Sequence, residues 1–95
     1  MSAYIIGTVI VTDPSWVESY IPTVQAQVEA AGGRYISRGE PEHLEGAAGQ
    51  PSVAVIIEFA DKDAARAWYD SSEYAPYRKA RQDGSNGDLF LLDGL

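Results

Sequence analysis

The segment Val53 to Phe59 (Val-Ala-Val-Ile-Ile-Glu-Phe) constrains this chain more than any other, because it reads as a strand that is apolar on both faces. Successive side chains of a strand point to opposite sides. Val53, Val55, Ile57 and Phe59 therefore share one side, and Ala54 and Ile56 the other. Tyr4 to Val11 repeats the pattern, with Ile5, Val9 and Val11 opposite Tyr4, Ile6 and Ile10, and Leu89 to Leu92 sets Leu89 and Leu91 against Phe90 and Leu92. A sheet made of such strands needs cover on two sides.

The rest of the chain supplies cover for one. Thr12-Asp13-Pro14 ends the first strand and reads as a helix N-cap with proline at the first helical position. Val17, Tyr20 or Ile21, Val24, Val28 and Ala31 then recur at helical spacing until Gly32-Gly33, where glycine suits the left-handed C-terminal position. Pro22 predicts a kink, or a short first turn ahead of the main helix, since its ring clashes with the Glu18 carbonyl. Arg34 to Arg38 is a short second strand, joined in a hairpin to the third through an acidic loop over Gly39 to Gln50. Asp61 caps a second helix to about Asp70 with Ala64, Ala65, Trp68 and Tyr69 on one face; after a break at Ser71-Ser72, Glu73 to Arg81 adds further helical turns. Asp83 to Asp88, with Gly84 and Gly87, reads as a turn before the last strand. The order strand, helix, strand, strand, helix, strand is that of an α+β ferredoxin-like βαββαβ fold in a single domain over residues 1–95, a four-stranded antiparallel sheet with two helices on one face.

Were about eight apolar side chains of the bare face left in water, the lost burial at ~1.5 to 3 kcal/mol each would reach roughly 12 to 24 kcal/mol. That rivals the ~5 to 15 kcal/mol holding a whole domain folded. The expectation is a homodimer in which two sheets meet face to face and enclose a shared core. At 95 residues, with no cysteine for a disulfide, oligomerisation is also the available remedy for a small core. A single histidine and no cysteine leave no usual transition-metal site, and no cofactor is expected. Fourteen acidic against seven basic residues, a net charge of −7, disfavour nucleic acid and anionic membranes as partners. Met1 leads directly into Tyr4-Ile5-Ile6 without a basic segment or a long apolar one, so a cytoplasmic location is expected.

Gly32-Gly33-Arg34-Tyr35, Arg38-Gly39, Glu45-Gly46, Glu58-Phe59-Ala60-Asp61, Ala64-Ala65-Arg66-Ala67-Trp68-Tyr69, Ser72-Glu73-Tyr74, Arg81 and Asp93-Gly94, in this order, resemble a bacterial family of unknown function. That family is grouped with the dimeric α/β-barrel proteins, related to antibiotic-biosynthesis-monooxygenase-like proteins. The resemblance covers nearly the whole chain and implies ferredoxin-like protomers that dimerise through their sheets. Other branches resemble cofactor-independent monooxygenases, muconolactone isomerases, chlorite dismutase-like haem proteins and stress-responsive barrels, so the shared fold implies no single chemistry.

Few residues suggest chemistry. His43, between Glu42 and Glu45, would serve as a general base or stand as a solvated loop histidine. Glu58 is the one charge inside the apolar third strand; it is either an acid or base in a pocket or the partner of Arg34 or Arg38 across the hairpin. Tyr20, Trp68, Tyr74 and Tyr77 would line a cavity between sheet and helices or simply pack the core. Arg78 and Arg81 would bind a carboxylate or pair with Glu73, Asp83 or Asp88. No Gly-x-Ser-x-Gly or phosphate-binding glycine pattern is present. Two readings follow. One is a small-molecule-binding or regulatory dimer, with Arg34, Arg38, Tyr20, Trp68, Tyr74 and Arg81 as ligand-binding candidates. The other is a cofactor-independent enzyme, monooxygenase- or isomerase-like, in which Glu58 or His43 moves a proton on a small organic substrate.

Overall fold

A computed structural model describes residues 2–95. Its elements are β1 (Ala3–Val11), a 3₁₀ turn (Pro14–Trp16), α1 (Val17–Ala30), β2 (Arg34–Gly39), β3 (Val53–Phe59), α2 (Lys62–Tyr69), α3 (Ala75–Asp83) and β4 (Ser85–Asp93). The strands form one antiparallel sheet in the order β2-β3-β1-β4, so this is the ferredoxin-like fold that the element order predicts. β1 runs opposite β3 from Ala3↔Phe59 to Val9↔Val53, and opposite β4 from Ala3↔Asp93 to Val11↔Ser85.

Local chemistry explains most boundaries. The Asp13 carboxylate accepts from the Ser15 N–H and caps the 3₁₀ turn, with Pro14 at its first position. α1 then runs through Pro22 without interruption. The 3₁₀ turn is therefore not the short first turn that Pro22 predicts, because α1 already includes Val17 to Ile21 and the main helix does not begin at Pro22. Glu18 is exposed, which lets solvent satisfy the carbonyl that Pro22 leaves without a helical N–H. At the other end Gly32 takes φ 84°, its N–H donating to the Glu29 carbonyl and that of Gly33 to the Val28 carbonyl, the paired bonds that close a helix with a left-handed residue. Asp61 caps α2 through the Ala64 N–H. The break at Ser71-Ser72 divides the second crossover into α2 and α3, giving three α-helices on the sheet instead of two. There the Ser71 hydroxyl donates to the Trp68 carbonyl and accepts from the Tyr74 N–H.

The expected turn over Asp83 to Asp88 is corrected to the single residue Gly84, and the last strand is longer than Leu89 to Leu92. Ser85 to Asp88 pair with Val11 to Thr8 as an edge strand whose polar side chains from Asn86 to Asp88 are exposed. Gly87 belongs in that strand because a Cβ there would run into the Thr8 carbonyl oxygen.

The helix side of the sheet carries the core: Ile5, Ile57 and Phe59 from the strands meet Val24 and Val28 of α1, Ala65 and Trp68 of α2, and Tyr74. Trp68 stacks on Phe59 with ring centroids 5.8 Å apart and lies 4.2 Å from Tyr74. Among the described residues no helix covers the other side. Phe90 is 65% exposed, Leu92 55% and Ile10 40%, as the two-faced strand pattern requires of a single chain. None of the helices is long and apolar enough to cross a membrane.

Candidate functional site

A cavity of about 270 Å³ lies between the helix side of the sheet and α1 and α3. Ile5, Val9, Val55 and Leu89 form its floor, and Val17 and Tyr20 of α1 face them. Trp68, Tyr74 and Arg81 bound it on the α2–α3 side, while Arg38, Ile21 and Ser52, all exposed to some degree, also border it. Aliphatic and aromatic side chains dominate, and no Asp or Glu contributes to the lining. In a chain with twice as many acidic as basic residues, the only formal charges here are two arginines.

Arg81 is 7% exposed. It belongs to the last turn of α3, which packs against α1 and β4. Its Nε donates to the Tyr74 hydroxyl at 3.4 Å, and the Tyr74 and Tyr20 hydroxyl oxygens are 2.6 Å apart. Among the described residues the ion pairs are Arg34–Glu58, Lys62–Asp93, Arg66–Asp63 and Lys79–Asp83, none of which includes Arg81. Guanidinium does not lose its proton in proteins, so a positive charge is held here with phenol oxygens and cavity for company. Burial pushes the Tyr20 phenol far above its ordinary value, the adjoining Tyr74 adding to the effect. Burial likewise raises Tyr35 to about 12. At neutral pH these phenols are hydrogen-bonding groups and not bases. Of the two hydroxyl protons in the Tyr20–Tyr74 pair, one occupies the bond between them and the other is free to be donated.

Tyr20, Trp68, Tyr74, Arg81 and Arg38 thus meet at the cavity; Arg34, Glu58 and His43 do not. A bulge explains why two arginines four residues apart diverge. Arg34 pairs with Glu58 in register, Tyr35 with Ile57, and the ladder then skips Ile36, so Arg38 falls opposite Val55. One extra residue reverses the alternation, leaving Arg34 on the bare face and Arg38 on the cavity side. Arg34 Nε donates to Glu58 Oε1 at 2.8 Å, and the Tyr4 hydroxyl donates to Oε2 at 3.3 Å. The hydrogen bond from Arg34 holds the Glu58 carboxyl below its ordinary value, against some desolvation. Glu58 is therefore an ion-paired carboxylate on the face away from the cavity. His43 lies in the loop after β2, its Nε2 2.8 Å from the Gly46 carbonyl. Arg78 lies over the Tyr69 ring at 5.1 Å, and Tyr77 packs against the core.

Sequence reasoning missed Trp16 and Tyr35. Trp16 precedes Tyr20 by one helical turn, and their rings meet edge to face at 5.0 Å, a spacing visible in the sequence. Its indole N–H donates to the Gly84 carbonyl. Tyr35 faces the cavity beneath Arg38, whose guanidinium lies 5.0 Å from its ring centroid.

A family model described as "Domain of unknown function (DUF1330)" matches residues 2–95. No curated protein matches the chain. Among solved structures it is similar to a protein of unknown function from Rhodopseudomonas palustris, with 17% identity and a TM-score of 0.82 over 99% of this chain and 82% of that one. SnoaB from Streptomyces nogalater, described as a cofactor-independent oxygenase, is 18% identical with a TM-score of 0.71 over 99% and 93%. A protein from Bacteroides fragilis, described as dimeric, of unknown function and of ferredoxin-like fold, is 15% identical with a TM-score of 0.59 over 98% and 96%. At these identities the likeness is one of fold.

Proposed function

The chain belongs to the DUF1330 family, whose function is unknown, and from that premise we propose that it is a cytoplasmic homodimer that binds a small organic molecule in the sheet–helix cavity of each protomer, in a carrier or regulatory role. The observation that carries this reading is the cavity itself: about 270 Å³, walled by apolar side chains, with a few convergent polar groups from Tyr20, Tyr74 and Arg81. Pockets that hold small ligands have this composition. The homodimer is supported by the exposure of Phe90, Leu92 and Ile10 on the bare face and by the description of the Bacteroides fragilis neighbour as dimeric.

A second reading, a cofactor-independent enzyme acting on a small organic substrate, is favoured by the Arg81–Tyr74–Tyr20 chain. Such a chain can stabilise negative charge developing on a substrate oxygen, and SnoaB is described as a cofactor-independent oxygenase. Binding is the preferred reading because the cavity lining contains no carboxylate or histidine and the Tyr20 and Tyr35 phenols are too weakly acidic to act as bases at neutral pH. The test is a thermal-shift screen of the purified protein against aromatic and aliphatic compounds of up to about a dozen heavy atoms, a size that suits a cavity near the lower end for ligand pockets. A dose-dependent rise in melting temperature that disappears when Val55 is enlarged to Trp, filling the cavity, is the expected outcome. No shift across the screen would overturn the proposal, and turnover of a binding compound would move the assignment to the second reading.

A further inference from the structure

The groups inside the cavity are more specific than its volume. We infer that its ligand is a small, largely apolar monocarboxylate whose carboxylate is received by the Arg81 guanidinium and by the free hydroxyl of the Tyr20–Tyr74 pair. This rests on the binding function proposed above and names the chemical class that the site would take.

Charge makes the first argument. A guanidinium buried to this degree is costly unless it is paired, and Arg81 has no carboxylate partner among the described residues. The chain has acids in excess, 14 against 7 bases, yet contributes none to the cavity. The negative charge that would complete the site must therefore come from the molecule that enters it.

Geometry makes the second. Of the five N–H bonds of Arg81, the one on Nε is engaged with Tyr74. The remaining N–H groups are not among the sealed polar atoms without partners, which are Gln27 Oε1 and Trp68 Nε1. Arg81 is among the residues that line the cavity, next to the Tyr74 and Tyr20 hydroxyls. A planar fork of donors matches the two oxygens of a carboxylate, and the adjoining phenol adds a third, neutral donor.

Size and polarity set the rest. At about 30 Å³ per water in the liquid, the cavity corresponds to roughly nine waters, or a ligand of about nine or ten non-hydrogen atoms. Beyond Arg81 such a ligand meets Ile5, Val9, Val55 and Leu89, which would leave a second charged group unsolvated. Arg38 would not serve a second carboxylate deep in the cavity, since it is exposed, stacked over Tyr35 and donates to Gln25 Oε1.

Isothermal titration of the wild-type protein with phenylacetate and with its neutral counterpart phenylacetamide tests this directly. The expected result is at least tenfold tighter binding of the carboxylate. In Arg81→Met the preference should vanish through loss of carboxylate affinity, with amide affinity little changed. Equal affinities in the wild type, or a preference that survives in Arg81→Met, would overturn the inference while leaving the cavity as a binding site. If neither probe binds, a series from acetate to naphthoate with the matching amides decides. Binding confined to the amides, or to none of the carboxylates, overturns the carboxylate assignment; failure of every member removes the binding function as well. Tighter binding of a dicarboxylate of the same length would also overturn the monocarboxylate assignment.

Discussion

Glu58 and Arg81 are both charges set among apolar residues, and their surroundings give them different roles. Glu58 sits opposite Arg34 in the β2–β3 register and is held below its ordinary value by that hydrogen bond. A carboxylate with a depressed folded-state value adds stability that is fully present above the unfolded value, near 4.5, and is lost as pH falls through the lower folded value. Glu58→Gln should therefore lower the melting temperature at pH 7, and the gap from wild type should close as the pH is taken down from about 4.5. A gap that stays constant through acid, or a variant more stable than wild type at neutral pH, would show that the ion pair adds nothing. Arg81 has no such partner among the described residues, and it lines the cavity instead. Nothing in the immediate sequence around either residue separates the two cases: an acid lies two positions from Arg81, at Asp83, but Asp83 pairs with Lys79.

At the scale of elements, the chain meets itself at one corner between β1–α1 and α3–β4. The N–H groups of Thr12 and Asp13 and the indole N–H of Trp16 all donate to the Gly84 carbonyl, at 2.9, 3.0 and 3.1 Å. A Cβ on Gly84 would run into the Trp16 ring and come within 2.9 Å of the Asp13 carbonyl oxygen. Gly84→Ala should thus cost about 1 to 3 kcal/mol in denaturant unfolding, and because Trp16 lines the cavity it should also weaken the proposed ligand binding. A neutral substitution would mean that the corner adjusts without loss. The elements themselves were largely readable in the sequence. Caps at Asp13 and Asp61, the Gly32-Gly33 stop, the break at Ser71-Ser72 and the Tyr20–Val24–Val28 stripe all depend on neighbours a few residues apart. The true start of β4 was not readable, because Asn86-Gly87-Asp88 has turn composition and is held extended by pairing with Ile10, Val9 and Thr8 of β1, far earlier in the chain.

For the whole molecule, the unanswered demand is cover for the bare face, where Phe90, Leu92 and Ile10 are exposed beside Tyr4, Ile6 and Ile56. If two copies meet there, melting temperature should rise with protein concentration between about 1 and 100 μM, because a partner that binds only the folded state stabilises it by mass action. Phe90→Asp should lower the melting temperature and flatten that dependence, because weaker association leaves more of the folded chain without a partner. A compact monomer by light scattering, with a melting temperature independent of concentration, would rule the dimer out. The sequence by itself determined that the strands are apolar on two sides, that the elements follow the ferredoxin-like order and that the helices cover one side only, since alternation with period two and stripes with period 3.6 are local properties of a chain. Only the tertiary structure decided that Arg38 and Arg34 part company at the Ile36 bulge, that Glu58 lies away from the cavity, and that Arg81 is enclosed beside Tyr20 and Tyr74 with no acid among the described residues to neutralise it. Those outcomes depend on strand register and on the packing of segments distant in sequence, where one inserted residue reverses a face and no local pattern records the change.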